Sequence, residues 1–254
     1  MFDISGRVAF VTGASKGLGK VFALALGRAG AKLCILSRTE DDLRQTEQEL
    51  KSEGCDCISY FVDIRNEQEV EKAVEGCVEK YGRIDILVNN AATARINKPP
   101  EETSLNEWEY VIDTNINGSF ICAKAVGKVM LKQKSGKIIN MSSMSGKIIN
   151  KGIHGGSYDV SKQGIDGMTR ALSSEWAQYG INVNAIAPGY FMTDPNIMFF
   201  EKDPDFYKTA LESIPAGRIG RPEELVGTLL YLASDASDYV HGAIISVDGG
   251  YTIW

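Results

Sequence analysis

Seven short apolar runs punctuate the chain, at residues 7–12, 31–37, 55–62, 84–89, 136–142, 181–187 and 243–247, and each has the length of a buried strand. The stretches between them are polar but carry apolar residues at three- and four-residue steps. Val70, Val74, Cys77 and Val78 before Tyr81 are one such series, and their spacing predicts a helix. Strands alternating with helices in this way predict parallel pairing through right-handed crossovers, with helices on both faces of one sheet. Gly30 stands where the first helix would stop, and Thr39 with Asp42 three residues on resembles a capping box for the second. The hexapeptide Ser-Gly-Lys-Ile-Ile-Asn occurs at 135–140 and again at 145–150. The first copy reads as strand because Ser142, Ser143 and Gly146 follow it as turn formers; the second reads as loop.

No linker rich in Pro, Ser or charge interrupts the 254 residues, so residues 1–254 are read as a single doubly wound α/β domain. With 44% hydrophobic and 24% charged residues the composition is globular and gives no support to disordered or fibrous classes. The net charge of -6 draws the chain towards neither nucleic acid nor anionic membrane, which leaves small solutes as the expected partners. Each apolar run is broken by charge well before the roughly 20 residues a membrane span needs, and the first ten residues lack a signal-peptide pattern. The five cysteines form no disulfide framework, and a soluble protein of the reducing cytoplasm is expected. Cys55-Asp56-Cys57 is too tight for a zinc knuckle, and His154 and His241 are the only histidines, so no metal is expected.

The first strand runs into Thr12-Gly13-Ala14-Ser15-Lys16-Gly17-Leu18-Gly19, followed by an apolar helix with Val21, Phe22, Leu24 and Leu26. A glycine-rich strand-to-helix turn presents backbone N–H groups and a positive helix end to a phosphate. Where the second strand ends, many dinucleotide sites place a carboxylate for the ribose 2'-hydroxyl. Here stand Ser37 and Arg38, with Lys16 nearby in such a fold, and two cations suit a 2'-phosphate; the expected cofactor is NADP (NADPH) rather than NAD. Further on, Tyr158 and Lys162 are spaced to share one helix face. An ammonium beside a phenol favours its ionised form and so lowers a pKa that is ordinarily near 10.

Together with Asp63, Asn89-Asn90-Ala91, Asn115, Ser143 and Pro188-Gly189, these motifs occur in the order and over the length that mark the short-chain dehydrogenase/reductases, and the chain resembles that family throughout. The resemblance implies a Rossmann-type domain with a seven-stranded parallel sheet, assembled as a homotetramer. Carried over by position, Tyr158 is the general acid/base, Ser143 its partner on the substrate oxygen, and Lys162 the cation that also holds the nicotinamide ribose. Asn115 is the fourth member, ordering a relay water. Gly13, Ser15, Gly17 and Leu18 match the pyrophosphate loop, Asp63 the adenine contact, and Asn90 with Ala91 the wall beside the adenosine. Pro188, Gly189 and Thr193 match the segment next to the nicotinamide.

Two departures bear on this reading. Ala92 replaces the family's glycine after Asn-Asn-Ala, and fifteen positions separate Ser143 from Tyr158 where thirteen are common, which leaves Ser142 and Ser145 as rivals for the serine role. The segment from Tyr190 to Tyr207, with Phe191, Met192, Met198, Phe199, Phe200 and Phe206, reads either as a substrate lid or as subunit interface. Arg95, Lys98, Lys147, Lys151 and His154 offer cations to an anionic substrate or form a solvated rim. The subgroup nearest by Ile186-Ala187-Pro188-Gly189-Tyr190-Phe191 and Val247-Asp248-Gly249-Gly250 is the gluconate 5-dehydrogenase-like branch, which implies keto groups of sugar acids and polyols. A 3-oxoacyl carrier-protein reductase is the enzyme alternative and would dock through Lys124, Lys128 and Lys132, although Ser174 stands where such relatives carry a cation. A hydroxysteroid or carbonyl reductase and a non-catalytic NADP-binding sensor complete the alternatives.

Overall fold

The structure, a computed structural model, describes residues 2–150 and 153–253. Strands β1 (Val8–Thr12), β2 (Lys32–Ser37), β3 (Cys57–Phe61), β4 (Ile86–Asn89), β5 (Gly136–Met141), β6 (Ile181–Pro188) and β7 (Ile244–Val247) form one sheet in the order β3-β2-β1-β4-β5-β6-β7. All six pairings are parallel. The helices are α1 (Gly17–Arg28), α2 (Glu40–Ser52), α3 (Glu67–Tyr81), α4 (Leu105–Ile112), α5 (Gly118–Gln133), α6 (Gly156–Trp176), α7 (Asp194–Lys202), α8 (Pro204–Glu212) and α9 (Val226–Ala233).

The strands are apolar on both sides because both faces are covered. Along β1, Ala9 and Val11 point to the face carrying Phe22 and Leu26 of α1 and Leu229 and Leu232 of α9. Val8 and Phe10 point to the other, against Val70, Val74 and Cys77 of α3 and Val126 and Met130 of α5. Period two in the strand thus meets period 3.6 in the helices, and this agreement positions the C-terminal ends of the strands. Strand order reverses between β1 and β4, which leaves a crevice at that end of the sheet.

Gly30 ends α1 with φ +88°: its N–H donates to Gly27 and that of Ala31 to Leu26, the double bond of a left-handed helix stop. The same pair of bonds closes α2, from Gly54 to Lys51 and from Cys55 to Leu50. Cys55 is therefore still finishing a helix, and β3 begins at Cys57 rather than at residue 55. The capping box expected at Thr39 does not form. Thr39 is the N-cap of α2, but its side chain caps nothing. Its hydroxyl is drawn to Ser15 Oγ at 2.9 Å and to Ser37 Oγ at 3.1 Å instead, and the acidic first turn Glu40-Asp41-Asp42 complements the helix dipole. A capping box does form on α4, where Ser104 and Glu107 each satisfy the other's backbone N–H. The first copy of the hexapeptide supplies β5, and the second follows a short 3-10 turn at Met144–Gly146 as loop. All five cysteines are free thiols, and among the described residues no helix is long and apolar enough to cross a membrane.

Candidate active site

A cleft of about 410 Å³ opens where β1 and β4 part, and it runs from the glycine loop past β5 and β6. Gly13, Ser15, Lys16, Gly17, Leu18, Arg38, Asp63, Asn90, Ala91, Ser143, Tyr158, Lys162, Pro188, Gly189 and Thr193 all line it. The loop is held from beneath. Thr12 Oγ1 accepts from the N–H groups of Asn90 and Ala91 at 3.0 Å, and Asn90 Nδ2 donates to the carbonyls of Thr12 and Gly13 at 3.1 Å. Asn90 is thus a brace of the loop as well as part of its wall. A Cβ on Gly19 would lie 2.1 Å from the Gly13 carbonyl oxygen, so the helix start and the turn touch through bare backbone. Gly17, with φ +55°, faces open space. Helix α1 has no side-chain cap and no acidic residue in its first turn. Its free N–H groups and positive end face the cleft and suit a pyrophosphate.

At the end of β2 the expected cations are present with company that sequence spacing does not reveal. Arg38 Nη1 donates to the Tyr110 hydroxyl at 2.7 Å, and the guanidinium groups of Arg38 and Arg65 lie 5.8 and 5.1 Å from the Tyr110 ring centre. Arg65 grips Asp63 at 2.5 Å and holds that carboxyl below its ordinary pKa. Asp63 therefore lines the cleft as an engaged anion. Arg65 sits two residues beyond Asp63, a spacing that marks a turn-forming pair; Tyr110 carries no local signal at all.

On the other side, β5 and α6 bring the reactive groups together. Ser143 follows β5 and Tyr158 lies in the first turn of α6. Burial raises the Tyr158 pKa, while the Ser143 hydroxyl and then the Arg95 charge act to lower it. Of the rival serines, Ser142 donates to Asp166 at 2.5 Å, and Ser145 is buried, accepting from Arg95 and Asn150. Lys162 is 4% exposed, donates to the Met141 carbonyl at 2.8 Å, and is pulled down to about 8 by burial. Its ammonium lies 5.6 Å from the Tyr158 ring centre, and the guanidinium of Arg95, whose charge also favours the ionised phenol, lies 5.3 Å from the same centre. Asn115 lies in a π turn, Asp113–Asn117, between α4 and α5. Its amide is committed to both backbone groups of Thr93 and to Ser161 Oγ at 3.0 Å, so this side chain braces the wall of the site. A widened turn of this kind is a frequent mark of a functional position.

The rim cations divide. Lys98 pairs with Glu107, Lys147 reaches Ser246 at 2.6 Å, and His154 is exposed. Lys151 lies outside the described residues. Arg95 reaches the site, paired with Asp159 at 2.6 Å. The proposed carrier dock is neutralised in part, since Lys124 pairs with Glu67 and Lys128 with Glu71. In the aromatic segment, Phe200 with Ile214 and Ile219 nucleates a small core that Tyr190, Phe206, Tyr207 and Tyr251 complete. Phe191, Thr193 and Asn196 turn into the cleft, whereas Met192, Met198 and Phe199 remain exposed. Ala92 also lines the cleft. Among the described residues no group of His, Cys, Asp or Glu is arranged to hold a metal ion.

A family model described as Enoyl-(Acyl carrier protein) reductase matches residues 13–252. Galactitol 2-dehydrogenase (L-tagatose-forming) of Cereibacter sphaeroides is 38% identical over 254 residues, covering 100% of this chain and 98% of that enzyme. A 3-oxoacyl-[acyl-carrier-protein] reductase of Synechocystis is also 38% identical, over 256 residues and the full length of both. Among solved structures, a gluconate 5-dehydrogenase from Burkholderia cenocepacia in complex with NADP and tartrate superposes with a TM-score of 0.94 at 34% identity, covering 100% of this chain and 98% of that one. The unbroken parallel sheet, the glycine loop opening onto Tyr158 and Lys162, and full-length similarity to these oxidoreductases place the chain in the short-chain dehydrogenase/reductase family.

Proposed function

We propose that residues 1–254 act as one NADP(H)-dependent oxidoreductase domain that interconverts a ketone and a secondary alcohol on a sugar acid or polyol. One observation carries the reading: Ser143, Tyr158 and Lys162 open into the same cleft as the uncapped start of α1. The phosphate end and the proton-transfer end of a single site are thereby joined. Gly13, Ser15, Gly17 and Leu18 would hold the pyrophosphate, Arg38 and Lys16 a 2'-phosphate, Asp63, Asn90 and Ala91 the adenosine side, and Pro188, Gly189 and Thr193 the nicotinamide side. When bound, the cofactor supplies or takes the hydride. The chain does the rest. Ser143 and Tyr158 donate to the carbonyl oxygen, whose negative charge grows as the carbon is reduced, and Tyr158 passes its proton to that oxygen. In the reverse direction the phenolate takes the alcohol proton. Lys162, already low in pKa, holds the ribose and helps the proton leave; Asn115 keeps this wall in place.

The test is NADPH oxidation with four ketone classes: ketoses, 5-ketogluconate, acetoacetyl thioesters and steroid ketones. Turnover of the first two well above the others supports the reading. Preferred turnover of an acyl thioester would establish the carrier-protein alternative, although the ion pairs on Lys124 and Lys128 leave that dock poorly charged. A preferred steroid ketone would place the enzyme among the hydroxysteroid reductases. Binding of NADPH without turnover of any of them would favour a sensor. We further place the enzyme in the cytoplasm, in keeping with its five free thiols, and assign it a homotetramer, in keeping with the apolar side chains left exposed on α4, α5 and α6.

A further inference from the structure

Three of the four buried side-chain polar atoms that lack a hydrogen-bond partner among the described residues lie in one cluster: Arg95 Nε, Asn150 Oδ1 and Asp159 Oδ2. The cluster stands directly behind the tyrosine of the active site. Asp159 follows Tyr158 in sequence, and a one-residue step on a helix turns its side chain away from the phenol by about 100°. Its carboxylate nevertheless bears on the reaction centre through Arg95, which lies over the Tyr158 ring and donates from Nη2 to Asp159 Oδ1 at 2.6 Å. The same nitrogen donates to Ser145 Oγ at 3.0 Å, and Asn150 Nδ2 reaches that oxygen at 2.8 Å. Asp159 is 2% exposed and Arg95 16%, so the pair is largely withdrawn from water. Space for the carboxylate is provided locally, since a Cβ on Gly155 would come within 1.7 Å of Asp159 Oδ2.

This arrangement changes what Arg95 can recognise. A free guanidinium beside the reaction centre would be a natural receptor for a substrate carboxylate. Here the guanidinium is already balanced by a carboxylate at contact distance in a dry setting, where like charges interact strongly. A second carboxylate would meet Asp159 as well as Arg95. A hydroxyl meets no such opposition: Nη1, which has no hydrogen-bond partner among the described residues and is not among the buried orphan atoms, can donate to it.

We propose that the buried Arg95–Asp159 pair sets the charge preference of the substrate site, selecting neutral ketoses and polyols over sugar acids, with Asp159 as the specificity-determining residue. The proposal rests on the polyol or sugar-acid reading above and narrows it. L-sorbose and 5-keto-D-gluconate form a matched pair, since they differ by a carboxylate in place of a terminal hydroxymethyl group. With NADPH and wild-type enzyme, kcat/KM for L-sorbose is expected to exceed that for 5-keto-D-gluconate by at least about tenfold, the scale of one charge-assisted hydrogen bond. In Asp159→Asn, which keeps the shape and an acceptor for Arg95, the ratio of the acid to the ketose should rise at least about tenfold. A merely structural role for Asp159 would lower both rates and leave their ratio unchanged. If the unpaired arginine prevents Asp159→Asn from folding, the double variant Arg95→Gln with Asp159→Asn removes both charges, and the same ratio should rise at least threefold. Wild-type enzyme that reduces the acid as well as the ketose, or a ratio unmoved in whichever variant folds, overturns the proposal while leaving the polyol or sugar-acid reading intact. Wild-type enzyme that reduces neither but turns over a thioester or steroid ketone overturns both.

Discussion

Tyr158 and Lys162 illustrate how much a site residue gives up in stability. Burial raises the one and lowers the other, so each charged form is disfavoured until a ligand compensates. For Lys162 the consequence is measurable without substrate. Its pKa is about 8 in the folded chain against 10.5 as the ordinary value, so below pH 8 the lysine is protonated in both states and the fold carries the full cost of burying the charge. Between pH 8 and 10.5 the unfolded chain binds more protons than the folded one, and this contribution to stability rises with pH. The full shift corresponds to about 3 kcal/mol. Lys162→Met should therefore lose turnover and cofactor affinity, yet unfold no earlier than wild type at pH 7, with any advantage shrinking as the pH rises from 8 to 10.5. Urea titrations across that range decide it; a constant difference would contradict the assignment. Tyr158→Phe should lower kcat by about 10²- to 10⁴-fold while leaving NADPH binding nearly unchanged, since the ring remains and the proton goes. Activity within threefold of wild type would refute the acid/base role. Replacing Arg38 by Asp removes a phosphate partner, leaves the Tyr110 hydroxyl without its donor and adds repulsion. The preference for NADPH over NADH should fall by more than the roughly 10- to 150-fold of one charge-assisted hydrogen bond, and equal dissociation constants for the two cofactors in wild type would refute the NADP assignment.

At the scale of elements, all seven strands were legible in apolar runs because a parallel sheet buried on both faces needs unbroken hydrophobic stretches. The glycine loop, Tyr158 and Lys162 were legible because their spacing carries their geometry. What escaped was decided by partners distant in sequence. Thr39 has the right neighbours for a capping box but is recruited by Ser15, 24 residues away. Tyr110 meets Arg38 across 72 residues and Asp159 meets Arg95 across 64, and no local period reports either. Gly164 on α6 likewise serves a contact with a distant part of the chain: a Cβ there would meet Ile116 Cδ1 at 2.6 Å. The loop and α1 provide a sharper test of such close approach. In Gly19→Ala the new methyl group would press on the Gly13 carbonyl, which is backbone and cannot swing aside, so stability should fall by about 1–3 kcal/mol or more together with cofactor affinity. Gly17→Ala meets no atom and bears only the strain of a left-handed backbone, about 1–2 kcal/mol. Melting curves of the two variants should therefore rank Gly19→Ala as the less stable, and the reverse order would show that the turn is softer than its contacts indicate.

For the whole molecule, the exposed apolar side chains fall into two sets, one beside the cleft and one on helices α4, α5 and α6. Met192, Met198 and Phe199 stand exposed on the aromatic segment, whose inner residues pack as a small core and whose Phe191, Thr193 and Asn196 line the cleft. A second set lies elsewhere: Leu105 is 67% exposed and Trp108 37% on α4, Phe120 46% on α5 and Val160 45% on α6, where Gly167 also faces open space. Large apolar side chains are costly to leave in water, and a second copy using the same helices would cover them. Since α6 also carries Tyr158 and Lys162, an interface there would stiffen the helix that holds the reactive groups. For the homotetramer proposed above, light scattering at micromolar concentration is expected to find four chains per particle, and Phe120→Glu combined with Val160→Glu to yield smaller species with reduced turnover, because burying two new carboxylates is strongly opposed. Turnover of the smaller species should recover towards wild type as protein concentration rises, which distinguishes lost assembly from a damaged site. A wild-type protein that is monomeric and fully active under the same conditions would sink the assignment and return these side chains to the status of ordinary exposed residues.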